Sequence, residues 1–137
     1  MNIQVAVLCD AATQDSSMKL NMLGAFDTIY APQLPAVHLQ CAVALRITFL
    51  PGDEGTHQLT LNFVNADGRS IMPGLPPIPI EATLPEDAHF VTRNFVANLQ
   101  QLQFAEAGAY SVDVRIDGQS RASIPLLVKL VPPPPAA

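Results

Sequence analysis

Charge is scarce in this chain. Only 14% of its 137 residues are Asp, Glu, Lys or Arg, against about 25% in a typical soluble domain. Tryptophan is missing altogether, aromatic residues make up 6%, and cysteine occurs twice. Each shortage excludes something. No run approaches the roughly 20 apolar residues of a membrane helix. The net charge of -5 gives no basic face to neutralise phosphates, which argues against nucleic acid as a partner. The seven glycines are scattered and form neither GxGxxG nor a P-loop, so nucleotide binding is not expected. The two thiols lack CxxC spacing, which excludes the common redox and zinc motifs.

What is present is apolar. Hydrophobic residues reach 49% and the mean hydropathy is +0.25 in a chain of 14.7 kDa. Such a chain can bury enough surface to offset its ordering entropy, so disorder is excluded and a single domain over residues 1–131 is expected. Seven basic and twelve acidic side chains would be spread over roughly 7,000 Å² of folded surface. The charge-poor remainder predicts a surface covered by a partner, either a second copy in a homo-oligomer or another protein. The alternative is a monomer kept soluble by Gln, Asn, Ser and Thr. Met1 to Ala12 has no basic leader, and the apolar run Val5 to Cys9 is short, so a cytoplasmic protein is expected. Cys9 and Cys41 fall at apolar strand positions and read as buried small hydrophobes.

Alternation with period two dominates the chain. It predicts one apolar face of Ile3, Val5, Val7 and Cys9, and a second of Met18, Leu20, Met22, Gly24 and Phe26. A third runs through Val37, Leu39, Cys41, Val43, Leu45, Ile47 and Phe49 and belongs in the middle of a sheet. There His38 lies on the polar side and reads as a surface residue. Pro32 and Pro35 predict a crossover between sheets. Leu59, Leu61 and Phe63 alternate again, and Asn65 to Gly68 is turn chemistry. Pro73, Pro76, Pro77 and Pro79 confine Ile78–Leu84 to an edge. Residues 85–104 fit either a helix or a strand; the neighbouring strands favour a strand, with a phase slip at Gln100–Gln101. Tyr110 to Ile116, the turn Asp117–Gly118 and Ala122 to Leu130 form a hairpin.

Seven to nine mostly antiparallel strands without a helix predict an all-β sandwich or small barrel. Gly108-x-Tyr110 at the start of a strand resembles the tyrosine corner of immunoglobulin-like domains, and an immunoglobulin-like β-sandwich without the Cys-Trp-Cys core is expected. Such a corner speaks for fold and not for activity.

Convergent chemistry is thin. His38, His57 and His89 lie on separate elements, and His57, His89, Glu54 and Asp87 would hold a metal only if their loops met. There is no Gly-x-Ser-x-Gly. Neither cysteine has a basic flank to favour a thiolate. Asp10, Asp15, Asp27, Asp53 and Glu54 read as solvated turn residues rather than a calcium set. Asp113, Arg115 and Asp117 alternate in sign, and pairing with Arg121 would account for them. No catalytic residue, metal ligand or cofactor is therefore expected. The candidate interaction residues are Pro132, Pro133, Pro134 and Pro135, a polyproline II run that cannot join a sheet.

The segments Val5-Ala6-Val7-Leu8-Cys9-Asp10 and Lys19 to Asp27, together with Pro32, Pro35, Leu45-Arg46-Ile47, the Gly108-x-Tyr110 corner and the Asp117–Gly118 turn, resemble an uncharacterised family of small bacterial proteins. The resemblance implies a stand-alone β-sandwich made in the cytoplasm, with no activity or catalytic residue attached. The expected function is a non-enzymatic structural or interaction module that self-associates. The alternative is a small-molecule or carbohydrate-binding sandwich, or a metal-dependent enzyme using loop His and carboxylates.

Overall fold

A computed structural model describes residues 1–132. Among these residues there is no helix; nine strands form two sheets. The first sheet runs β2(Leu20–Ala25), β1(Asn2–Gln14), β4(Ala36–Phe49), β7(Val91–Phe104). The second runs β3(Thr28–Ala31), β9(Gln119–Leu130), β8(Gly108–Ile116), β5(Gly55–Asn65), β6(Ile78–Ala82). All pairs are antiparallel except β3 with β9. The main core lies between the sheets, with Phe49, Leu45 and Phe104 from one facing Leu59, Ile80, Val112 and Val128 from the other. No polar or charged residue is among the buried set.

Several expectations hold. The 14-residue β4 sits between β1 and β7, as its length and apolar face require. The Pro32–Pro35 linker carries the chain from one sheet to the other, and the proline-guarded β6 is an edge. Residues 91–104 are a strand. Its phase slips where Gln101 takes φ 53°, so Leu99 and Leu102 both point inward.

Other expectations need correction, and each departure has a local cause. A bulge between Ile3 and Val5 shifts the β1 register. Ile3, Ala6 and Leu8 therefore face the main core, while Cys9 faces outward with Ala42. The β4 face also breaks: Val37 and Leu39 are 52% and 73% exposed, whereas Cys41 onward is inward. The slip in β7 forces this, because His38 pairs with inward Leu102 and Cys41 with inward Leu99. His38 is thus half-buried rather than on the surface. Its ring lies 5.6 Å from Phe26 and its buried Nε2 has no hydrogen-bond partner.

The second apolar face also differs. β1 pairs with β4 only as far as Cys9, and from there to Gln14 it pairs with β2. The hairpin then folds back over the outer side of the sheet. Asn94 of β7 donates to Gln14 Oε1 at 3.0 Å and to the Met18 carbonyl at 2.9 Å, a reach that a flat sheet two strands wider would forbid. Cys9, Ala42 and Ala44 are closed off beneath Ala12, Leu20 and Val96 as a second small core. Of the expected Met18–Phe26 face, only Leu20 and Phe26 pack; Met18 and Met22 stay exposed, as does Leu23 on the other face. The four-residue β3 was not foreseen, being too short to show alternation.

Candidate functional site

The structure places the expected metal candidates apart. His57, on β5, points into the end of the molecule where two turns meet. Its Nδ1 lies 2.7 Å from Asp117 Oδ2, in the β8–β9 turn, and its Nε2 lies 2.7 Å from the Asp53 carbonyl. Both partners are acceptors, so the form of the ring that satisfies both is the imidazolium, which donates from each nitrogen. The Asp117 hydrogen bond first, and the Asp53 carbonyl second, hold the His57 pKa above its ordinary value of 6.5. In return His57, then the Gln58 amide, hold the Asp117 carboxyl below the usual range. Asp53 is likewise lowered, chiefly by the amino group of Met1 at 2.8 Å and then by the Leu50 amide.

His89, Asp87 and Glu54 are exposed and do not join this cluster. Among the described residues no three His, Cys, Asp or Glu side chains converge as a metal site. Asp15 caps its own turn through the Ser17 and Lys19 amides, and Asp27 accepts from Thr28. Arg115 binds Asp113 on its own strand at 2.7 Å; Asp117 hydrogen-bonds His57, and the Arg121 charge acts on it as a lesser influence. The two thiols are free. Opposed residues of an antiparallel pair share a face, so Cys9 points with Ala42 and Cys41 points the other way. Burial, and then Cys9, push the Cys41 thiol up to about 11.

Three surface features remain. A polar cleft of about 470 Å³ is lined by Asn65, Arg69, Gln103, Glu106 and Tyr110. The Tyr110 hydroxyl donates to the Glu106 carbonyl at 2.6 Å, while its ring packs edge-on against Phe104 at 5.0 Å. A second groove, of about 420 Å³, lies beside β3 and includes Tyr30, Val37 and His38. The third feature is the free edge of β2. Leu20 to Ala25 is uncharged and proline-free, and Leu23 is 72% exposed. The other edge of this sheet, β7, carries Arg93, and β6, an edge of the second sheet, carries Pro79. Of the proline residues singled out in the sequence, Pro132 is exposed, and Pro133, Pro134 and Pro135 lie outside the described residues. Sequence reasoning missed the β2 edge because it assigned Met22 to a buried face.

The chain is thus all-β, with His57, Asp53 and Asp117 hydrogen-bonded where turns meet and an uncharged edge strand in β2. The chain belongs to a family of unknown function, DUF6941, whose sequence profile matches residues 4–129. No protein of curated function matches it in sequence. Among solved structures it is similar to the Pseudomonas fluorescens alkylpurine DNA glycosylase AlkC bound to DNA containing an abasic site analog, with a TM-score of 0.52 and 9% identity. That likeness covers 93% of this chain and 30% of the glycosylase, and at this identity it concerns the fold alone. No helix among the described residues is long and apolar enough to cross a membrane.

Proposed function

We propose that the protein is a non-enzymatic, self-associating module of the cytoplasm, built as an immunoglobulin-like sandwich. The fold reading is supported by strand order. β1, β4 and β7 stand as A, B and E of the immunoglobulin arrangement, and β9, β8, β5 and β6 as G, F, C and C′. Tyr110 stands near the start of F with its hydroxyl bound four residues upstream, as a tyrosine corner does.

The observation that carries the association reading is the β2 edge. An open edge presents unpaired N–H and C=O groups, and proteins blunt such edges with charge, proline or cover. β6 is blunted by proline, β3 is only four residues long, and β7 carries the charge of Arg93. β2 has no charge or proline, and exposes Met22 and Leu23 beside its ladder. Antiparallel pairing of β2 with β2 of a second copy would satisfy both edges with one self-complementary contact. Binding of DNA, as in the glycosylase structure, is disfavoured here by the net charge of -5.

Light scattering across a dilution series tests this. The wild-type mass is expected to rise toward twice 14.7 kDa with concentration. Leu23→Lys is expected to hold it at the monomer value with unchanged thermal stability. A wild-type mass of one chain at every concentration would overturn the association, and a dimer unaffected by Leu23→Lys would move it off β2.

A further inference from the structure

Arg46 lies on the outer side of β4, half-buried, and is held on both sides by neutral amides. Its Nε donates to Gln4 Oε1 and its Nη1 to Asn94 Oδ1, both at 2.8 Å. A guanidinium drawn partly out of water is ordinarily matched by a carboxylate. Yet neither Arg46 nor Lys19 forms an ion pair among the described residues. The two amides use two of the five guanidinium N–H donors, which leaves three without a protein partner.

Local irregularities place these groups. Gln4 is the extra residue of the β1 bulge, between Ile3 opposite Ile47 and Val5 opposite Arg46, and bulges re-aim side chains in this way. Asn94 stands opposite Arg46 on β7. While its Oδ1 accepts from Arg46, its Nδ2 donates to Gln14 Oε1 and to the Met18 carbonyl. Met18 takes φ 64°, a left-handed conformation that a non-glycine residue adopts at a cost. The turn is thereby drawn against Arg46, and Ser17, Met18, Lys19 and Leu20 form with it an open pocket of about 350 Å³. No Asp or Glu lines that pocket. Asp15, in the same turn, is engaged by the Ser17 and Lys19 amides and by Asn21.

We propose that this pocket binds the phosphate group of a small phosphomonoester, held between Arg46 and Lys19. The three remaining Arg46 donors and the three of the Lys19 ammonium exceed the roughly four lone-pair sites of a carboxylate. A phosphate brings three strong acceptor oxygens and a charge of about −1.5 to −2 at pH 7, which matches the two cations. Two cations serve one phosphate and not the row of phosphates on a nucleic acid. The site lies on the outer face of the first sheet and does not rest on the β2 association.

The test titrates the full chain with inorganic phosphate at pH 7 and follows ¹H–¹⁵N spectra, with potassium chloride at matched ionic strength as the reference. Saturable shifts are expected in the Ser17, Met18 and Lys19 amides and in the Arg46 Nε–H, while the amides of β8 stay in place. Glycerol phosphate is expected to shift the same signals. Lys19 is exposed, so Lys19→Ala should leave Tm unchanged and weaken phosphate binding by about tenfold. Arg46→Lys keeps the charge but loses the fork, and should weaken it as well. Shifts no larger than those caused by chloride would overturn the proposal, as would an affinity untouched by Lys19→Ala. Acetate binding as tightly as phosphate would overturn the choice of phosphate. A phosphoserine tripeptide binding more tightly than glycerol phosphate would overturn the small ligand in favour of a phosphorylated protein.

Discussion

Tyr110 joins two jobs in one side chain. Its ring packs edge-on against Phe104, and its hydroxyl ties the β7–β8 connection through Glu106. Removing only the hydroxyl leaves the Glu106 carbonyl without its partner at a half-buried site. Tyr110→Phe should therefore cost about 1–2 kcal/mol, read from the urea midpoint at unchanged slope. Equal midpoints would mean that water replaces the hydroxyl at no cost. This residue was legible in the sequence because its signal is local: Gly108, Tyr110 and the acceptor at 106 fall within five positions. His38 was not. Its orientation is decided by a slip on the partner strand at Gln101, which no pattern within β4 records.

At the scale of elements, the β1–β2 hairpin depends on small residues beneath it. Ala42 and Ala44 are fully buried on the outer side of β4, a side that period-two reading assigns to solvent. They are small because a second layer presses on them. Ala44→Leu should overpack that layer and destabilise the fold by about 1–3 kcal/mol. Amide exchange in Leu20–Ala25 should accelerate more than in β8 if the hairpin lifts away. Uniform acceleration would instead mean that the hairpin and the main core open together. The strands themselves were largely readable, since nearly all of them alternate. The bulge after Ile3 was not, because a single extra residue reverses a face without altering composition.

For the whole molecule, pH acts through the His57 cluster. The folded-state pKa of His57 is raised, so its contribution is fully present below the ordinary value of 6.5 and is lost as pH rises through the folded value. Asp53 and Asp117 are lowered from 3.8. Their contributions hold above that value and are lost as pH falls through the folded ones. Stability should accordingly peak between about pH 4 and 6.5 and decline toward pH 8. His57→Gln should flatten the upper limb of the curve, and a wild-type curve level from pH 6 to 8 would remove the imidazolium assignment. The cluster could not be read from the sequence, since His57 and Asp117 are 60 residues apart and meet only because β5 pairs with β8. The class of fold needed no such long-range knowledge, because alternation and turn chemistry repeat along the whole chain.

The hairpin that turns back over β4 also sets a limit on growth. Fibrous stacking of sheets requires each copy to offer two open edges in one continuous plane. Here the first sheet ends on one side in β7 and on the other in a strand whose hairpin folds out of that plane, so the two edges of one copy do not lie in one continuous plane. In a chain this poor in charge, that bend, rather than repulsion, is the feature that works against flat stacking of sheets.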